Sequence, residues 1–261
     1  MGRQFHFYTH TVASIPRTIR RYRKETIRLL AEVSMGTGAL AVIGGTLVVV
    51  ALLTTAVGYE VGQQGVTSLG RIGIGALSGF ISAFFNTREA IPPVIAGIAL
   101  TATVGAGFTA QLGAMRVSEE IDAMETMSIP SLPPTSSRRV SPRGIIAVIP
   151  LYAVALFVGY VATQLVTEFL GEASGTYQHY FNVFLVPSDV AWSMVKVVAM
   201  SVVVMCVHCY HGYNATGGPP AGVGVAVGRA VRTSLIAIMV IDLLIGIAVY
   251  GGSAGAVKVS G

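Results

Sequence analysis

Charged residues are scarce in this sequence, and their scarcity excludes an ordinary water-soluble domain. Only 11% of the 261 residues are Asp, Glu, Lys or Arg, whereas 53% are hydrophobic and the mean hydropathy is +0.70. Soluble globular domains carry about 25% charged residues. Apolar runs recur from near residue 35 to residue 252 without a polar globular insert. We therefore expect an all-α integral membrane protein that forms one domain, 1–261.

Cysteines and nucleotide-binding or nucleophile motifs are also scarce or absent. The two cysteines, Cys206 and Cys209, lie inside an apolar run, so no disulfide framework is indicated. With His208 and His211 they resemble metal ligands, but helical steps of 100° spread the four around the axis. We therefore expect no metal site, and His208 as a hydrogen-bonding group inside the bundle. No G-x-x-x-x-G-K-[ST] or G-x-S-x-G motif occurs, so neither nucleotide hydrolysis nor serine-hydrolase catalysis is predicted.

Five apolar segments reach the length of about 20 residues that a helix needs to cross the hydrocarbon. They lie at about 35–57, 92–113, 144–167, 191–210 and 233–252. The stretch 66–88 has only a short apolar core between polar ends. Counting it as a span would place the arginines of 114–143 outside, against the positive-inside rule. We expect it to be a re-entrant or interfacial hairpin on the outer side.

The positive charges set the expected orientation. With an inside N-terminus, 13 of the 17 Lys and Arg lie in cytoplasmic segments: seven before the first span, four in 114–143 and two in 211–232. The basic residues of 1–34 recur among apolar ones at helical spacing, which favours a helix lying in the inner interface. A disordered basic tail and a nucleic-acid arm are the alternatives, and we expect no nucleic-acid partner.

Small residues and rare charges pattern the spans. In the second span one stripe comprises Ala102, Ala106 and Ala110, and the stripe beside it comprises Gly105, Thr109 and Gly113. Such stripes predict close helix–helix packing in lipid. Asp242 and Lys196 are intramembrane charges and therefore functional candidates. They suit either a proton relay or a structural contact between spans.

Four acids crowd a short segment directly after the second span: Glu119, Glu120, Asp122 and Glu125. On a helix, Ile121 and Met124 share the opposite, apolar side. The segment predicts a short amphipathic helix on the cytoplasmic surface. Acids beside a membrane of negative surface potential are out of place unless a basic protein partner covers them. The alternative is a solvated turn.

Around these acids the sequence resembles a known family. The run GAGFTAQLGAMRVSEEIDAMETM, 105–127, is similar to the pattern G-A-G-x-x-A-E/Q-L/I-G-x-M-R-x-x-E-Q/E-I-D-A-L/M-x-x-M of the MlaE/YrbE permeases. These are membrane subunits of ABC-type lipid transporters that work with MCE-domain proteins. The tract CYHGYNATGGPPAGVGVAVGRAVRTS resembles the actinobacterial YrbE subgroup. Thr103 departs from the pattern, because many relatives have an arginine there.

The resemblance implies a non-enzymatic permease subunit in the cell's inner (plasma) membrane. Residues 1–34 would be the interfacial helix, 35–113 the first two spans, 114–143 the coupling loop and 144–261 the last three spans. The contacts to the ATPase would come from Glu119, Glu120, Ile121, Asp122, Met124 and Glu125. The implied partners are a second YrbE-type permease chain, an ABC ATPase dimer that holds ATP and Mg²⁺, MCE proteins and a lipid, with no cofactor bound by this chain.

Two other function classes remain open at this point. The chain could be a self-sufficient secondary transporter or channel for a hydrophobic solute, with the intramembrane charges as its relay, or an intramembrane enzyme acting on lipid. The identity of the lipid, whether fatty acid, mycolate-like, sterol or phospholipid, does not follow from the residues.

Overall fold

The computed structural model of the protein describes residues 37–88, 91–126, 142–216 and 221–251. Within these ranges the secondary structure is helical, without a β-strand, and the prediction of an all-α fold is confirmed. The interfacial helix expected in 1–34 lies outside the described part of the chain. So does the tract 127–141 of the coupling loop.

Nine α-helices follow one another along the described ranges. They are α1 (Thr37–Arg71), α2 (Ser78–Thr87), α3 (Ile91–Leu100), α4 (Ala106–Val117), α5 (Glu120–Thr126), α6 (Pro142–Phe169), α7 (Ser174–Phe184), α8 (Pro187–Tyr213) and α9 (Ala221–Tyr250). A 3₁₀-helix, Gly75–Leu77, precedes α2, and a π-helix, Thr101–Gly105, joins α3 to α4.

Five stretches of the described chain are long and apolar enough to cross a membrane. They are Gly44–Arg71, Ser78–Val117, Val148–Phe169, Pro187–Tyr213 and Ala221–Tyr250. Each exceeds the about 20 residues that a helix needs to cross the hydrocarbon. The prediction of five spans is confirmed, and the protein is a multi-pass integral membrane protein.

The first span extends well beyond the apolar run from which it was predicted. We expected it to end near residue 57, but α1 is 35 residues long and continues to Arg71. At about 52 Å it exceeds the about 30 Å of hydrocarbon. Exposed polar residues such as Glu60 and Gln63 belong to this extension. The apolar run indicates only the part of α1 that lies in the hydrocarbon. The chain itself turns later, at Gly73, whose φ is +75°.

The segment 66–88 differs from the expected hairpin in its first part, because 66–71 belong to α1. Its second part, α2, has ten residues and measures about 15 Å, too short to cross the hydrocarbon by itself. The buried side of α2 is small and polar, with Ser78, Ser82 and Asn86, while Phe85 is exposed. A helix with its small polar side inward and Phe85 outward suits an apolar surrounding.

The helices divide into two compact units. Unit 1 comprises 1–45, 97–149 and 199–238. Its described core packs Phe108 and Leu112 of α4 against Met205, Cys206 and Cys209 of α8. This packing sets α4 and α8 side by side.

Unit 2 comprises 46–96, 150–198 and 239–261, and in it α2 lies against α7. A Cβ on Gly79 would lie 2.8 Å from the backbone nitrogen of Phe181, so only glycine permits this approach. The Tyr177 hydroxyl donates a hydrogen bond to Ser82 Oγ over 2.7 Å. Burial raises the pKa of Tyr177 to about 12.

The same unit joins α1 to α6 through glycine. A Cβ on Gly58 would lie 2.8 Å from the Cβ of Ala162, and one on Gly62 would lie 3.1 Å from the carbonyl oxygen of Thr163. Because glycine has no side chain, the two long helices can approach closely. Such contacts are typical of helices in lipid, where no hydrophobic effect drives the helices together.

Candidate functional site

The acidic segment forms a sharp corner at the end of the second span. α4 ends at Val117, and Glu119 interrupts the helix with a positive φ of 59°, which a non-glycine residue rarely adopts. α5 begins at Glu120 and has only seven residues. Glu119 and Glu120 are exposed, whereas Ile121 is fully buried. The short amphipathic helix predicted from the sequence is present, with an apolar anchor and outward acids.

The four acids of this segment do not share one environment. Asp122 is exposed but forms an ion pair and a hydrogen bond with Arg116, at the end of α4. The Arg116 guanidinium carbon also lies 5.9 Å from the ring centre of Tyr213, at the end of α8. The side chains of Met124 and Glu125 lie outside the described part of the chain. Within that part, Glu119 and Glu120 remain the outward-facing acids.

In the described part of unit 1, the stripe of Gly105, Thr109 and Gly113 is buried against another segment of the chain. A Cβ on Gly105 would lie 2.7 Å from His208 Cδ2, and one on Gly113 would lie 3.5 Å from the Cβ of Ala215. Between them, Thr109 is buried against His208. In the other stripe Ala102 is exposed, and Ala106 and Ala110 are only partly buried.

The contact between α4 and α8 is both close and polar. Thr109 Oγ1 lies 2.7 Å from His208 Nδ1 and also donates to the carbonyl oxygen of His208 over 3.1 Å. One turn along, a Cβ on Gly212 would lie 2.8 Å from the Cβ of Leu112 and 2.9 Å from the carbonyl oxygen of Thr109. We call the contact of 105–113 with 208–215 the α4–α8 seam.

His208 therefore occupies the place that its sequence suggested, inside the bundle with a hydrogen-bond partner. Cys206 and Cys209 are buried nearby and are not joined in a disulfide. Among the described residues no three His, Cys, Asp or Glu side chains are grouped as a metal site would require. Cys206 and Cys209 therefore contribute packing, and His208 contributes a hydrogen-bonded imidazole ring.

The two intramembrane charges lie together in unit 2. Lys196, only 2% exposed, places Nζ 3.1 Å from Asp242 Oδ1 and donates to the carbonyl oxygen of Arg88 over 3.3 Å. The sequence left a relay and a structural contact open, and the geometry is that of an ion pair linking α8, α9 and the end of α2. Lys196 also meets the C-terminal carbonyl that a helix leaves without an intrahelical partner.

Sequence reasoning missed three residues of this network. Arg88 Nε lies 3.2 Å from Asp189 Oδ2. The ring centre of Tyr250 lies 4.9 Å from the guanidinium carbon of Arg88 and 5.8 Å from Lys196 Nζ. A signal did exist, because Arg88 and Asp189 are charged residues at the ends of apolar runs. We call Arg88, Asp189, Lys196, Asp242 and Tyr250 the charge network.

Comparison with known proteins places the chain among transport permeases. Residues 35–248 match the model of the family described as Permease MlaE. A probable ABC transporter permease protein of Rickettsia bellii (strain RML369-C) is 32% identical over 204 residues, which are 77% of this chain and 76% of that protein. The chloroplastic protein TRIGALACTOSYLDIACYLGLYCEROL 1 of Arabidopsis thaliana is 27% identical over 211 residues, covering 79% of this chain and 59% of that one.

A third relative carries a substrate in its name. The intermembrane phospholipid transport system permease protein MlaE of Haemophilus influenzae (strain ATCC 51907 / DSM 11121 / KW20 / Rd) is 23% identical over 216 residues, which are 79% of this chain and 78% of that protein. The match to the family model extends over most of the five spans, the corner between α4 and α5, and both members of the Lys196–Asp242 pair. The chain belongs to the MlaE permease family.

Proposed function

We propose that this chain is the permease subunit of an ATP-driven lipid transporter, with ATP and Mg²⁺ held by a separate ABC ATPase. The corner between α4 and α5 carries the proposal. Glu119 and Glu120 face outward there, while the buried Ile121 holds α5 against the protein. Two exposed acids on an anchored helix directly after a span suit a cleft lined by basic residues on a cytoplasmic partner.

A lipid is the substrate class best supported. The Haemophilus influenzae relative is named as a phospholipid transport permease. In this chain α9 exposes a row of apolar side chains, among them Ile236, Met239, Leu243 and Ile247. A surface of that kind suits acyl chains and a second, similar permease chain, in keeping with the heteromeric pair of the YrbE subgroup. MCE-domain proteins would deliver or receive the lipid on the outer side.

The orientation of the chain follows from its charges. We expect the chain to lie in the inner (plasma) membrane. By the positive-inside rule, the N-terminus, the α4–α5 corner and the loop before α9 would lie on the cytoplasmic side, and α7 would lie on the outer side. A thiol reagent added from outside should label Ser174→Cys but not Ser118→Cys. Both positions are exposed, and the native cysteines are buried. Labelling of residue 118 from outside would overturn this orientation.

The docking role is tested by reversing the two outward acids. In Glu119→Lys/Glu120→Lys, the ATPase that co-purifies should fall at least about tenfold, because close interfacial charge pairs couple by about 1.5–7 kcal/mol each. Glu60→Lys reverses an exposed acid of α1 as a matched control and should leave the ATPase bound. Ile121→Ala loosens α5 without changing its charge, and thereby separates packing from docking.

A normal yield of ATPase with the double reversal, together with normal lipid uptake, would contradict the docking role. The rival function, a secondary transporter or channel, draws on the charge network rather than on the corner. It predicts lipid or solute movement by this chain without any ATPase. In the charge network Lys196 is paired with Asp242. A single pair of one acid and one lysine gives little support for a proton relay.

A further inference from the structure

We propose that Arg116 is a positioning residue that fixes α5 to the α4–α8 seam, so that force applied at Glu119 and Glu120 reaches the spans. The proposal rests on the docking role given above and assigns the outward acids and Arg116 different tasks. The acids would contact the partner. Arg116 would hold the contacted helix in place.

The first step concerns α5 itself, which cannot hold its place alone. Seven residues form fewer than two turns, far below the about 12–15 residues that a helix needs to be even marginally stable in water. Its entry at Glu119 uses a left-handed backbone conformation that is unfavourable for a residue with a side chain. The position of α5 must therefore come from tertiary contacts.

Among the described side chains, two contacts hold α5. Ile121 is fully buried and gives α5 an apolar anchor, but an aliphatic contact alone does not fix the direction of the helix. Arg116 adds direction, because its guanidinium pairs with Asp122 of α5 and lies 5.9 Å from the ring centre of Tyr213 in α8. One cation thus connects the ends of α4 and α8 to α5.

Because both side chains of this pair are partly exposed, we expect the pair to orient α5 rather than to stabilise the fold. The Arg116 and Asp122 side chains are 34% and 51% exposed, so solvent screens their attraction. Loss of the pair should leave the spans folded and change mainly how firmly α5 is held. That separation makes the proposal testable in the assembled complex.

The seam gives the positioned helix something rigid to act on. From Arg116 the close contacts continue through Gly113 against Ala215 and Leu112 against Gly212 to Thr109 against His208. They reach Gly105, the last residue of the π-helix. A displacement of α5 would accordingly be passed to two helices packed nearly backbone to backbone.

The experiment compares Arg116→Met with Arg116→Lys in the complete transporter reconstituted into vesicles. Methionine keeps an unbranched apolar stem but removes the guanidinium and its charge, whereas lysine keeps a positive charge for Asp122 and Tyr213. Arg232→Met is the matched control, because Arg232 is an exposed arginine of the same unit that donates to Gly228 in its own helix. The readouts are the ATPase retained on purification and the lipid moved per ATP hydrolysed. The probes are nitrobenzoxadiazole-labelled phosphatidylethanolamine and radiolabelled palmitate.

We expect Arg116→Met to keep the ATPase at wild-type yield but to move about three- to fivefold less lipid per ATP, within the range of a screened ion pair. Arg116→Lys keeps a cation for Asp122 and Tyr213 and should, like Arg232→Met, stay within about twofold of wild type. An unchanged ratio in Arg116→Met, or an equal defect in Arg116→Lys, would overturn the positioning role. So would loss of the ATPase from Arg116→Met, because Arg116 would then act in docking. Failure of the docking role is separate: it shows in Glu119→Lys/Glu120→Lys, not in these variants.

Discussion

At the scale of single residues, Lys196 is the most unusual feature of the described chain. It is an almost fully buried cation within a span, where a charged side chain without partners is costly. Asp242 and the carbonyl oxygen of Arg88 accept hydrogen bonds from its Nζ. Buried ion pairs of this kind contribute little net stability as a pair, but either member left alone is strongly destabilising.

This asymmetry gives a specific prediction. Lys196→Met should lower the free energy of unfolding by about 3–5 kcal/mol, because it leaves Asp242 unpaired in the bundle. Adding Asp242→Leu should restore most of the loss, since both charges are then gone. Thermal unfolding of the purified protein in detergent measures both effects, with Arg232→Met as the control.

A double variant as unstable as the single one would show that the pair is not the reason for the burial of Lys196. Transport by the double variant adds a second reading. If Lys196 and Asp242 act as a structural contact, transport recovers with stability, whereas a proton relay would stay inactive although the protein is stable.

The residue scale also shows where prediction from sequence stops. Asp242 and Lys196 could be identified as candidates because charges are rare in apolar runs. Their pairing could not, since they lie 46 positions apart and no local period connects them. Asp122 was expected to face a partner, but its pairing with Arg116 depends on a turn at Glu119 that no residue type announces. The ATPase contacts themselves stay a prediction.

At the scale of helices, the α4–α8 seam shows how small residues set the distance between spans. Gly105, Gly113 and Gly212 remove side chains at three successive levels, and the Thr109–His208 hydrogen bond lies between them. The His208 ring cannot move away from α4 without breaking that bond. Close approach and polar contact therefore depend on each other.

Gly105→Ala tests this dependence against a neighbour in the same helix. Its Cβ would lie 2.7 Å from His208 Cδ2, and such overpacking costs about 1–3 kcal/mol. Gly107→Ala is the matched control, because no described atom lies within 4 Å of a Cβ built there. In a helix that change alone favours folding by up to about 1 kcal/mol. In thermal unfolding, Gly107→Ala should be the most stable protein, followed by wild type and then Gly105→Ala. Equal stability of the two variants would contradict close packing at Gly105.

The helices also show what hydropathy can and cannot give. It predicted five spans, because the thickness of the hydrocarbon fixes the number of apolar residues. It missed the extension of α1 to Arg71 and the start of the second span's helical run at α2. Helix ends depend on where backbone hydrogen bonds stop, for example at Gly73, rather than on where lipid stops. The π-helix of 101–105 left no trace in the apolar pattern.

At the scale of the whole molecule, the family and the multi-pass helical fold are established. That ATP hydrolysis on another chain acts at the acidic corner is our proposal. The length, the charge asymmetry and the corner motif were all readable from sequence. The proposed lipid and partner chains were not, because their recognition depends on groups outside this chain.

The most direct test of the central claim is to purify this chain through an affinity tag from its native membrane and identify its companions by mass spectrometry. The account predicts a Walker-A ATPase, a second permease of the same family, MCE-domain proteins and a bound lipid. It also predicts that the reconstituted complex moves lipid only when ATP is hydrolysed. Recovery of the chain without an ATPase, together with lipid movement in vesicles driven by an ion gradient alone, would contradict it.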